Sequence, residues 1–336
     1  MTFAQAAKKI VRSNEYSCSE LKPARPIPSL TDDARAGLLE RPRSLAPKYF
    51  YDDYGSKLFD QICDTAEYYP TRVEAALLQE FAATVINVAR PEYVVELGSG
   101  TSRKTRHLLD ACSEQRFCPE YWPMDVCESI LDDTAESLMR DYAWLNINAF
   151  VGDYHGGFEH LPPTYDRTLY VFLGGTIGNF EHAEAVSLLS ELRGHMCAGD
   201  YILLGFDRVK DSAVLEAAYN DAQGITAAFN LNVLRVLNRE LKANFQLDNF
   251  LHQATYNQTD DQIEMYLVSG IDQTVHIPLL GRSLEIKQDE QIRTEISRKF
   301  TPESIESLLN ESGLSIVKHR QAENAYYSLV LAQISQ

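Results

Sequence analysis

The amino-acid sequence predicts an α/β protein with a doubly wound parallel sheet and a second α+β domain inserted into it. Short apolar segments alternate with amphipathic helical segments between residues 92 and 207, and this alternation is typical of parallel sheets with crossover helices. A Gly-x-Gly turn at 98–100 follows the first apolar segment. The alternation stops at residue 208 and returns at 301, which indicates an insertion.

The alternating region predicts the individual elements of the sheet. Apolar segments predict five strands, at 92–97, 116–126, 145–154, within 166–180, and at 200–207. Apolar residues at helical spacing predict helices at 102–112, 127–142 and 182–196, and two helices within 56–89 that separate near Pro70. Residues 1–45 are proline-rich and mixed in character, and we expect them to form an arm on the core.

The pattern of the second half of the sequence predicts an inserted domain, followed by a segment that rejoins the parallel sheet. Residues 211–245 have helical spacing and residues 248–298 are strand-like. A helix begins after Thr301, a favoured N-cap, and stops at Gly313, and two strands follow. We therefore predict three segments: an N-terminal arm with a nucleotide-binding core at 1–207, an inserted substrate-recognition domain at 208–298, and a helix with a strand pair at 299–336 that completes the core.

The composition is typical of a folded protein that binds a small molecule. Hydrophobic residues make up 45% of the 336 positions, and 48 acidic against 31 basic residues give a net charge of −17. Nucleic-acid binding needs clustered Lys and Arg, so we expect no nucleic-acid partner. The cysteines form no CxxC pair, no stretch reaches the ~20 apolar residues that span a bilayer, and the N-terminus lacks a signal-peptide pattern. We expect a cytoplasmic, monomeric protein with no bound metal and no membrane contact.

Acidic residues follow the predicted strands at the edge of the sheet where ligands of such folds bind. Glu96 precedes the glycine turn, Asp125 ends the second strand, and Asp153 ends the third. The dinucleotide fingerprint requires a third glycine where Arg103 stands, and the turn has no Walker lysine. An acidic rim suits a cationic nucleoside, and S-adenosylmethionine is the cofactor of that kind.

Each of these residues also has a purely structural explanation. Gly98 and Gly100 can form a tight turn without a ligand, Asp125 can cap the following helix, and Asp153 can stabilise an ordinary turn. Lys104 can hold the carboxylate of the cofactor or lie exposed on its helix, and its spacing favours neither. The placement of polar groups after three successive strands favours a common ligand.

Five motifs occur in an order that resembles one known family: "YFYDDYGSKLFDQI", "EYYPTR", "ELGSGTSRKT", "GGTIGNF" and "IRTEISRKF". From about residue 30 to its C-terminus, the chain resembles the histidine-specific N-alpha-methyltransferases of ergothioneine biosynthesis. The resemblance implies a Rossmann-like class I methyltransferase sheet, S-adenosylmethionine as cofactor, and L-histidine as a substrate whose α-amino group receives three methyl groups, giving the betaine hercynine. Relatives with the same scaffold act on prenylated tryptophan, so another amino acid such as a tryptophan derivative is the alternative substrate.

The resemblance also implies roles for individual residues. Five fall on cofactor positions: Gly98, Lys104, Asp125 on the ribose, and Asp153 with Tyr154 on the adenine, where the family often has Phe in place of the tyrosine. Seven fall on the substrate pocket: Asn179 and Tyr219 at the backbone groups of the amino acid, Tyr51 and Tyr68 on the wall, Met265 near the ring, and Glu295 with Ser297 on the imidazole. The adjacent Tyr69 leaves the register of Tyr68 open by one residue.

The chemistry of imidazole agrees with the last assignment. Glu295 and Ser297 are two residues apart, which places them on one face of a strand. A carboxylate accepts from one ring N–H and a hydroxyl bonds the other nitrogen, whereas an indole offers one N–H and no acceptor. The structural alternative pairs Glu295 with Arg293 or Lys299 at the surface. Methyl transfer needs an oriented, unprotonated amine, so we expect Asn179 to orient it and no residue to act as an obligate base.

Two other classes of protein are the remaining alternatives: a cofactor-binding protein without transfer activity, and a dehydrogenase. The presence of Asn179, Tyr219 and Glu295 argues against the first, because a protein without activity has no chemical need for them. Arg103 at the third glycine position argues against the second.

Overall fold

The computed structural model describes residues 14–335, which form a large mixed sheet flanked by helices and a second, smaller α+β unit. The strands are β1 (Tyr16–Glu20), β2 (Arg43–Ser44), β3 (Tyr93–Leu97), β4 (Glu120–Asp125), β5 (Ile147–Val151), β6 (Thr168–Phe172), β7 (Tyr201–Asp207), β8 (Phe250–Asn257), β9 (Gln262–Ser269), β10 (Gln273–Ile277), β11 (Arg282–Ile286), β12 (Gln291–Arg298), β13 (Leu314–Gln321) and β14 (Tyr327–Ile334). The helices are α1 (Leu30–Leu39), α2 (Asp53–Asp64), α3 (Tyr69–Ala89), α4 (Arg106–Gln115), α5 (Glu128–Asp141), α6 (His182–His195), α7 (Ser212–Tyr219), α8 (Ile225–Leu241) and α9 (Pro302–Glu311).

Across residues 14–335, the large sheet has eight strands in the order β1-β5-β4-β3-β6-β7-β14-β13. Neighbours from β1 through to β7 pair in parallel, and β14 and β13 close the sheet as an antiparallel pair. Because β3 lies between β4 and β6, the chain order reverses at β3, and such a switch point opens a crevice at the carboxyl ends of the strands. The predicted α/β class with a doubly wound sheet is confirmed.

The five predicted strands correspond to β3–β7, and each observed strand lies inside its predicted segment. The sequence did not predict β1, which lies within the expected N-terminal arm and pairs in parallel with β5. Its segment YSCSE is short and lies largely exposed at the edge of the sheet, so no apolar pattern marks it. Residues 1–13 of the expected arm lie outside the described residues.

The second unit has a sheet in the order β2-β12-β9-β8, the hairpin β10–β11, and the helices α7 and α8. Its core is not built from the insertion alone, since Phe50, Leu58 and Ile62 lie in the same buried cluster as Leu234 and Met265. The N-terminal strand β2 also pairs with β12. The predicted domain boundaries remain a prediction, to which the packing adds that the segment around α1 and α2 shares the core of the insertion.

The insertion leaves and rejoins the large sheet at one place. Phe300 N donates to Asp207 O at 2.9 Å, and Val209 N donates to Phe300 O at 3.1 Å. The end of β12 therefore lies beside the carboxyl end of β7, at the edge of the sheet where the crevice opens. Among the helices of residues 14–335, none combines the length and the apolar character needed to cross a membrane.

Candidate active site

A cavity of about 270 Å³ opens at the carboxyl ends of β3 and β4, where the chain order of the sheet reverses. It is lined by all five residues predicted to bind the cofactor: Gly98, Lys104, Asp125, Asp153 and Tyr154. The structure thus brings together residues from three strand ends and from the turn before α4. Their role in binding stays a prediction, and their common location supports it.

The glycine turn leaves open space beside this cavity. Gly98 and Gly100 have φ of 66° and 49°, a region that other residues rarely adopt. A Cβ at Gly100 would meet nothing within 4 Å, and one at Gly98 would meet only the ring of Tyr154, at 3.8 Å. Asp125 accepts from Gly100 N at 2.8 Å and from Cys127 N at 3.1 Å, and burial raises the pKa of its carboxyl. Asp125 therefore ties the turn to β4 while its side chain lines the cavity.

The third strand end supplies a polar group and an aromatic ring. Asp153 accepts from His155 N at 2.9 Å and so caps the short 3-10 turn that follows it. Burial would raise the pKa of Asp153, but the hydrogen bond and charge of His155 outweigh it and lower that pKa. The ring of Tyr154 packs edge-on against Phe172, with centroids 5.7 Å apart. Asp153 therefore stabilises a turn, as its structural explanation predicted, and it also lines the cavity.

Lys104 is held by a buried carboxylate. Its ammonium forms an ion pair with Glu74, whose side chain is 1% exposed. Glu74 also accepts from Gly174 N at 2.9 Å and from Tyr327 OH at 2.8 Å, so it joins α3, β14 and the loop after β6 beneath the cavity. The side chain of Lys104 keeps 23% exposure and lines the cavity, so one ammonium can contact both Glu74 and an anionic group of a ligand.

Glu96 has a supporting position at the same cavity. It accepts from Thr105 Oγ1 at 2.6 Å and from the hydroxyl of Tyr121. Burial raises the pKa of Glu96 to about 7, against these hydrogen bonds. Its carboxylate thus holds the start of α4 beside the glycine turn.

A smaller cavity of about 50 Å³ adjoins the larger one. It is lined by all seven residues predicted for the substrate pocket: Tyr51, Tyr68, Asn179, Tyr219, Met265, Glu295 and Ser297. Seven residues line both cavities: Tyr51, Phe59, Tyr68, Pro70, Gly174, Thr176 and Asn179. These seven mark the passage between the cavities, where a ligand in one would meet a ligand in the other. The roles of the seven residues stay a prediction.

The structure at the start of α3 shows which of the adjacent residues Tyr68 and Tyr69 lines the cavities. Tyr68 lines both cavities. Tyr69 lies behind them, where its hydroxyl donates to Asp207 at 2.8 Å and its ring packs edge-on against Tyr326, with centroids 5.4 Å apart. Tyr68 is therefore the tyrosine that faces the candidate substrate site.

Glu295 reaches the smaller cavity from an irregular position in its strand. It lies on β12 directly opposite Met265 on β9, and the register of the two strands shifts between Arg293 and Glu295. Such a bulge bends a strand and re-aims its side chains, and Glu295 and Ser297 line one cavity. Burial raises the pKa of Glu295 to about 7, against the charge of Lys299.

The surface ion pair considered for Glu295 does not form within the described chain. Arg293 lies 3.5 Å from Glu181, and Lys299 lies 2.9 Å from Asp207. No group in residues 14–335 donates a hydrogen bond to the Glu295 carboxylate. The carboxylate thus lines the cavity, is partly buried, and accepts from nothing in this part of the protein.

Three further polar groups at the passage lack hydrogen-bond partners within residues 14–335: the hydroxyls of Tyr51 and Tyr68 and the side-chain amide of Asn179. Tyr51 and Asn179 are partly buried, so these polar groups face the cavities and are accessible to whatever fills them. Several polar groups around one passage are therefore available to hydrogen-bond a polar ligand.

A network of buried charges lies behind the smaller cavity. Asp207 at the end of β7 forms ion pairs with Lys210 and Lys299, whose side chains are 4% and 0% exposed. Lys299 Nζ also donates to Ser297 Oγ at 2.8 Å and to Tyr219 OH at 3.0 Å. Tyr219 OH donates to Ser297 Oγ at 2.8 Å. The hydroxyl that the family resemblance places at a substrate carboxylate is therefore directed at Ser297, and its role at a carboxylate stays a prediction.

The charges of this network stabilise one another. Burial would raise the pKa of Asp207, but the ammonium groups of Lys299 and Lys210 outweigh it and lower that pKa. Burial lowers the pKa of Lys210 to about 8, although Asp207 opposes it.

Sequence reasoning missed Glu74 and the partners of Asp207. Glu74 is a lone glutamate on a helix, and Asp207 meets Lys299 only through the fold, so no local pattern pairs either of them. It also missed Val126, which is 46% exposed and lines the larger cavity directly after Asp125. The signal for Val126 was an apolar residue immediately beyond a strand end.

The groups around the larger cavity fit S-adenosylmethionine. Asp125 offers acceptors for ribose hydroxyls, and Lys104 offers a cation for a carboxylate. Tyr154 and Val126 offer an aromatic and an apolar surface for a nucleobase. The acidic side chains at this rim suit a cationic nucleoside better than a polyphosphate.

The protein has a doubly wound sheet with a nucleoside-sized cavity at its switch point. This cavity joins a second one, which is lined by polar groups without hydrogen-bond partners in residues 14–335. These features define an α/β enzyme that acts on a small molecule with a nucleoside cofactor. Residues 30–334 match the family model of the histidine-specific, S-adenosylmethionine-dependent methyltransferases. The histidine N-alpha-methyltransferase of Mycobacterium tuberculosis (strain CDC 1551 / Oshkosh) is 44% identical over 306 residues, which cover 90% of this chain and 94% of that relative.

Two fungal relatives are more distant. Ergothioneine biosynthesis protein 1 of Schizosaccharomyces pombe is 26% identical over 292 residues, which cover 83% of this chain and 37% of that protein. The 4-dimethylallyltryptophan N-methyltransferase of Penicillium roqueforti is 26% identical over 322 residues, which cover 91% of this chain and 94% of that protein. The chain belongs to the family of histidine-specific, S-adenosylmethionine-dependent methyltransferases. The predicted family and cofactor are confirmed.

Proposed function

We propose that this methyltransferase transfers methyl groups to the α-amino group of L-histidine three times in succession, giving hercynine for ergothioneine biosynthesis. The observation that carries the proposal is the Glu295 carboxylate, which has no donor in residues 14–335 and lines the cavity next to the cofactor cavity. The names of the mycobacterial and Schizosaccharomyces pombe relatives support histidine and ergothioneine.

The ring of histidine completes the far end of the smaller cavity. Glu295 accepts from one ring N–H, Ser297 bonds the other nitrogen, and Met265 packs beside the ring. A substrate without the N–H leaves the carboxylate unpaired, which costs about 1–3 kcal/mol or more for a charged group. An apolar amino acid is rejected for that reason. The second unit of the fold supplies all three side chains, which is why we assign substrate recognition to it.

The amino group of histidine lies at the passage between the cavities. The unpaired amide of Asn179 orients it, and the hydroxyls of Tyr51 and Tyr68 surround it. Burial raises the pKa of both tyrosines well above the usual value, so these hydroxyls stay protonated and do not act as bases. A free α-amino group has a pKa near 8, so a useful fraction is already neutral and orientation supplies much of the rate.

When bound in the larger cavity, S-adenosylmethionine supplies a methyl group on a sulfonium. The chain contributes an aromatic wall around the amine, in which the rings of Tyr51 and Phe59 lie 5.7 Å apart and those of Phe59 and Tyr68 lie 6.3 Å apart. Aromatic faces stabilise quaternary ammonium groups. The wall therefore tolerates the fixed positive charge that the third methylation creates.

The experiment mixes the purified protein with S-adenosylmethionine and each of the twenty amino acids, and with 4-dimethylallyltryptophan. Mass spectrometry then counts the methyl groups added. The expected result is a trimethylated product from histidine alone, which Glu295→Ala abolishes and Glu264→Ala retains. Glu264 is the matched control because it lies on the neighbouring strand and accepts hydrogen bonds from Tyr266 and Gln262. Methylation of a tryptophan derivative instead of histidine would overturn the proposed substrate and leave the chemistry intact.

A further inference from the structure

The hydroxyl of Ser297 has both of its acceptor positions filled by protein donors. Lys299 Nζ and Tyr219 OH each donate to Ser297 Oγ at 2.8 Å. A serine hydroxyl has two lone pairs and one hydrogen, so only the hydrogen is left for a ligand. Ser297 lines the smaller cavity beside Glu295, and it therefore meets a ligand there as a donor.

Lys299 is held in its donating position. Its three N–H bonds reach Ser297 Oγ, Tyr219 OH at 3.0 Å and Asp207 Oδ2 at 2.9 Å. Its side chain is 0% exposed. Burial alone would lower the pKa of Lys299, but Asp207 and Tyr219 outweigh it and raise that pKa. The ammonium is therefore charged at any physiological pH and has no lone pair with which to accept.

We propose that Lys299 determines substrate specificity by fixing Ser297 as a hydrogen-bond donor. This inference rests on the proposed function and states which form of the ring the site selects. Glu295 accepts and Ser297 donates, so the pair is complementary to a neutral azole with one N–H and one unprotonated nitrogen. An imidazolium places an N–H against the Ser297 hydrogen and a positive charge near Lys299. An indole or a pyrrole leaves the Ser297 hydrogen unpaired.

Lys299 acts through Ser297 and is therefore a positioning residue. Its effect appears in the ratio of two substrates rather than in activity alone. The informative substrates are histidine and the two isomers of pyrrolylalanine, in which one ring nitrogen keeps its N–H and a C–H replaces the other. The ratio of kcat/KM for histidine to that for the better pyrrole isomer measures the contact between Ser297 and the unprotonated nitrogen. An unpaired buried donor lowers affinity roughly five- to hundredfold, which is the ratio expected for the unaltered protein.

Substitution of Lys299 by Met frees one acceptor position of Ser297, so the hydroxyl can turn its hydrogen toward Tyr219 when no ring acceptor is present. The ratio is expected to fall at least fivefold in Lys299→Met. Tyr219→Phe removes the second donor and keeps the pairing of Lys299 with Asp207. The lone pair that it vacates lets Ser297 accept an N–H from the other pyrrole isomer, so the ratio is expected to fall in this variant as well. In Ser297→Ala the ratio is expected to fall to about one or below.

Lys210→Met is the matched control. It removes the other buried ammonium on Asp207, but Lys210 bonds Tyr69 at 2.6 Å instead of Ser297. Its ratio is expected to stay within about twofold of the unaltered protein, whatever happens to its stability. A general structural role for these lysines would change both substrates alike and leave the ratio constant in every variant.

The outcomes separate this inference from the proposed function. A folded Lys299→Met variant with an unchanged ratio overturns the inference while histidine methylation stands. If Lys299→Met does not fold, an unchanged ratio in Tyr219→Phe overturns it equally. A protein that methylates no histidine at all overturns the proposed function, and this inference with it. A ratio that falls in Lys299→Met and Tyr219→Phe but not in Lys210→Met supports it.

Discussion

Glu295 on β12 lies directly opposite Met265 on β9, so a carboxylate and a thioether reach one cavity from neighbouring strands. The side of the carboxylate that faces Met265 is apolar, and no hydrogen-bond donor from residues 14–335 compensates its charge. An ionised group in such surroundings destabilises the protein until a ligand pairs with it. The relationship leads to predictions about both activity and stability.

Glu295→Gln should lower kcat/KM for histidine at least tenfold. The amide keeps one acceptor oxygen but loses the charge that strengthens the bond to a ring N–H. Steady-state kinetics at fixed S-adenosylmethionine measures the effect. Glu264→Gln, on the adjacent strand, should stay within about twofold of the unaltered protein, and an equal loss in both variants would assign the effect to the sheet rather than to the ring contact.

The same variant should be more stable than the unaltered protein at pH 8. Burial raises the pKa of Glu295 to about 7 in the folded state, whereas an unfolded Glu titrates near 4.3. The folded state therefore binds the proton more tightly, and the stability contribution present below the unfolded pKa is lost as pH rises through about 7.

Glu295→Gln does not titrate, so its advantage in free energy of unfolding should grow to about 1–3 kcal/mol at pH 8 and shrink toward pH 5. Urea unfolding at both pH values measures it. A variant whose advantage is the same at pH 5 and pH 8 would show that burial of Glu295 does not perturb its titration.

Lys104→Met should weaken both the fold and cofactor binding. It leaves Glu74 buried without its counter-charge, which should lower the free energy of unfolding by about 1–3 kcal/mol, below the value for a fully buried pair because Lys104 is partly exposed. The dissociation constant for S-adenosylhomocysteine should rise at least tenfold in calorimetric titration.

The neighbouring residue provides the control for this substitution. Arg103 lies 3.5 Å from Asp64, and both side chains are largely exposed, so Arg103→Met should not measurably change the free energy of unfolding. Unchanged nucleoside affinity in Lys104→Met would restrict Lys104 to a structural role with Glu74.

The two adjacent tyrosines should separate function from stability. Tyr68→Phe removes a hydroxyl that has no partner in residues 14–335, so its stability should change by less than about 0.5 kcal/mol, while KM for histidine should rise about fivefold or more. Tyr69→Phe removes a donor to Asp207 and an acceptor for Lys210, so it should lower the free energy of unfolding by about 1–3 kcal/mol with little effect on KM. Thermal melts and kinetics on both variants test this, and the reverse pattern would contradict the assignment of Tyr68 to the cavity.

Part of this site could be predicted from the amino-acid sequence alone. Gly98, Asp125 and Asp153 follow successive strands, and parallel strands bring their carboxyl ends to one edge. Glu295 and Ser297 share a strand face because side chains alternate along a strand. The motifs of the family placed the remaining residues, including Tyr51 and Tyr219, which composition and spacing alone could not separate from the other tyrosines.

The amino-acid sequence by itself determined the alternation of strands and helices between residues 92 and 207, the glycine turn and the family, because these depend on local periodicity and on motifs of contiguous residues. Only the tertiary structure decided that Tyr68 rather than Tyr69 faces the cavity, that Glu74 holds Lys104, and that Lys299 donates to Ser297. These contacts join residues from distant parts of the chain, such as Asp207 and Lys299. Their hydrogen bonds depend on where the folded backbone places each side chain, and no local pattern encodes that position.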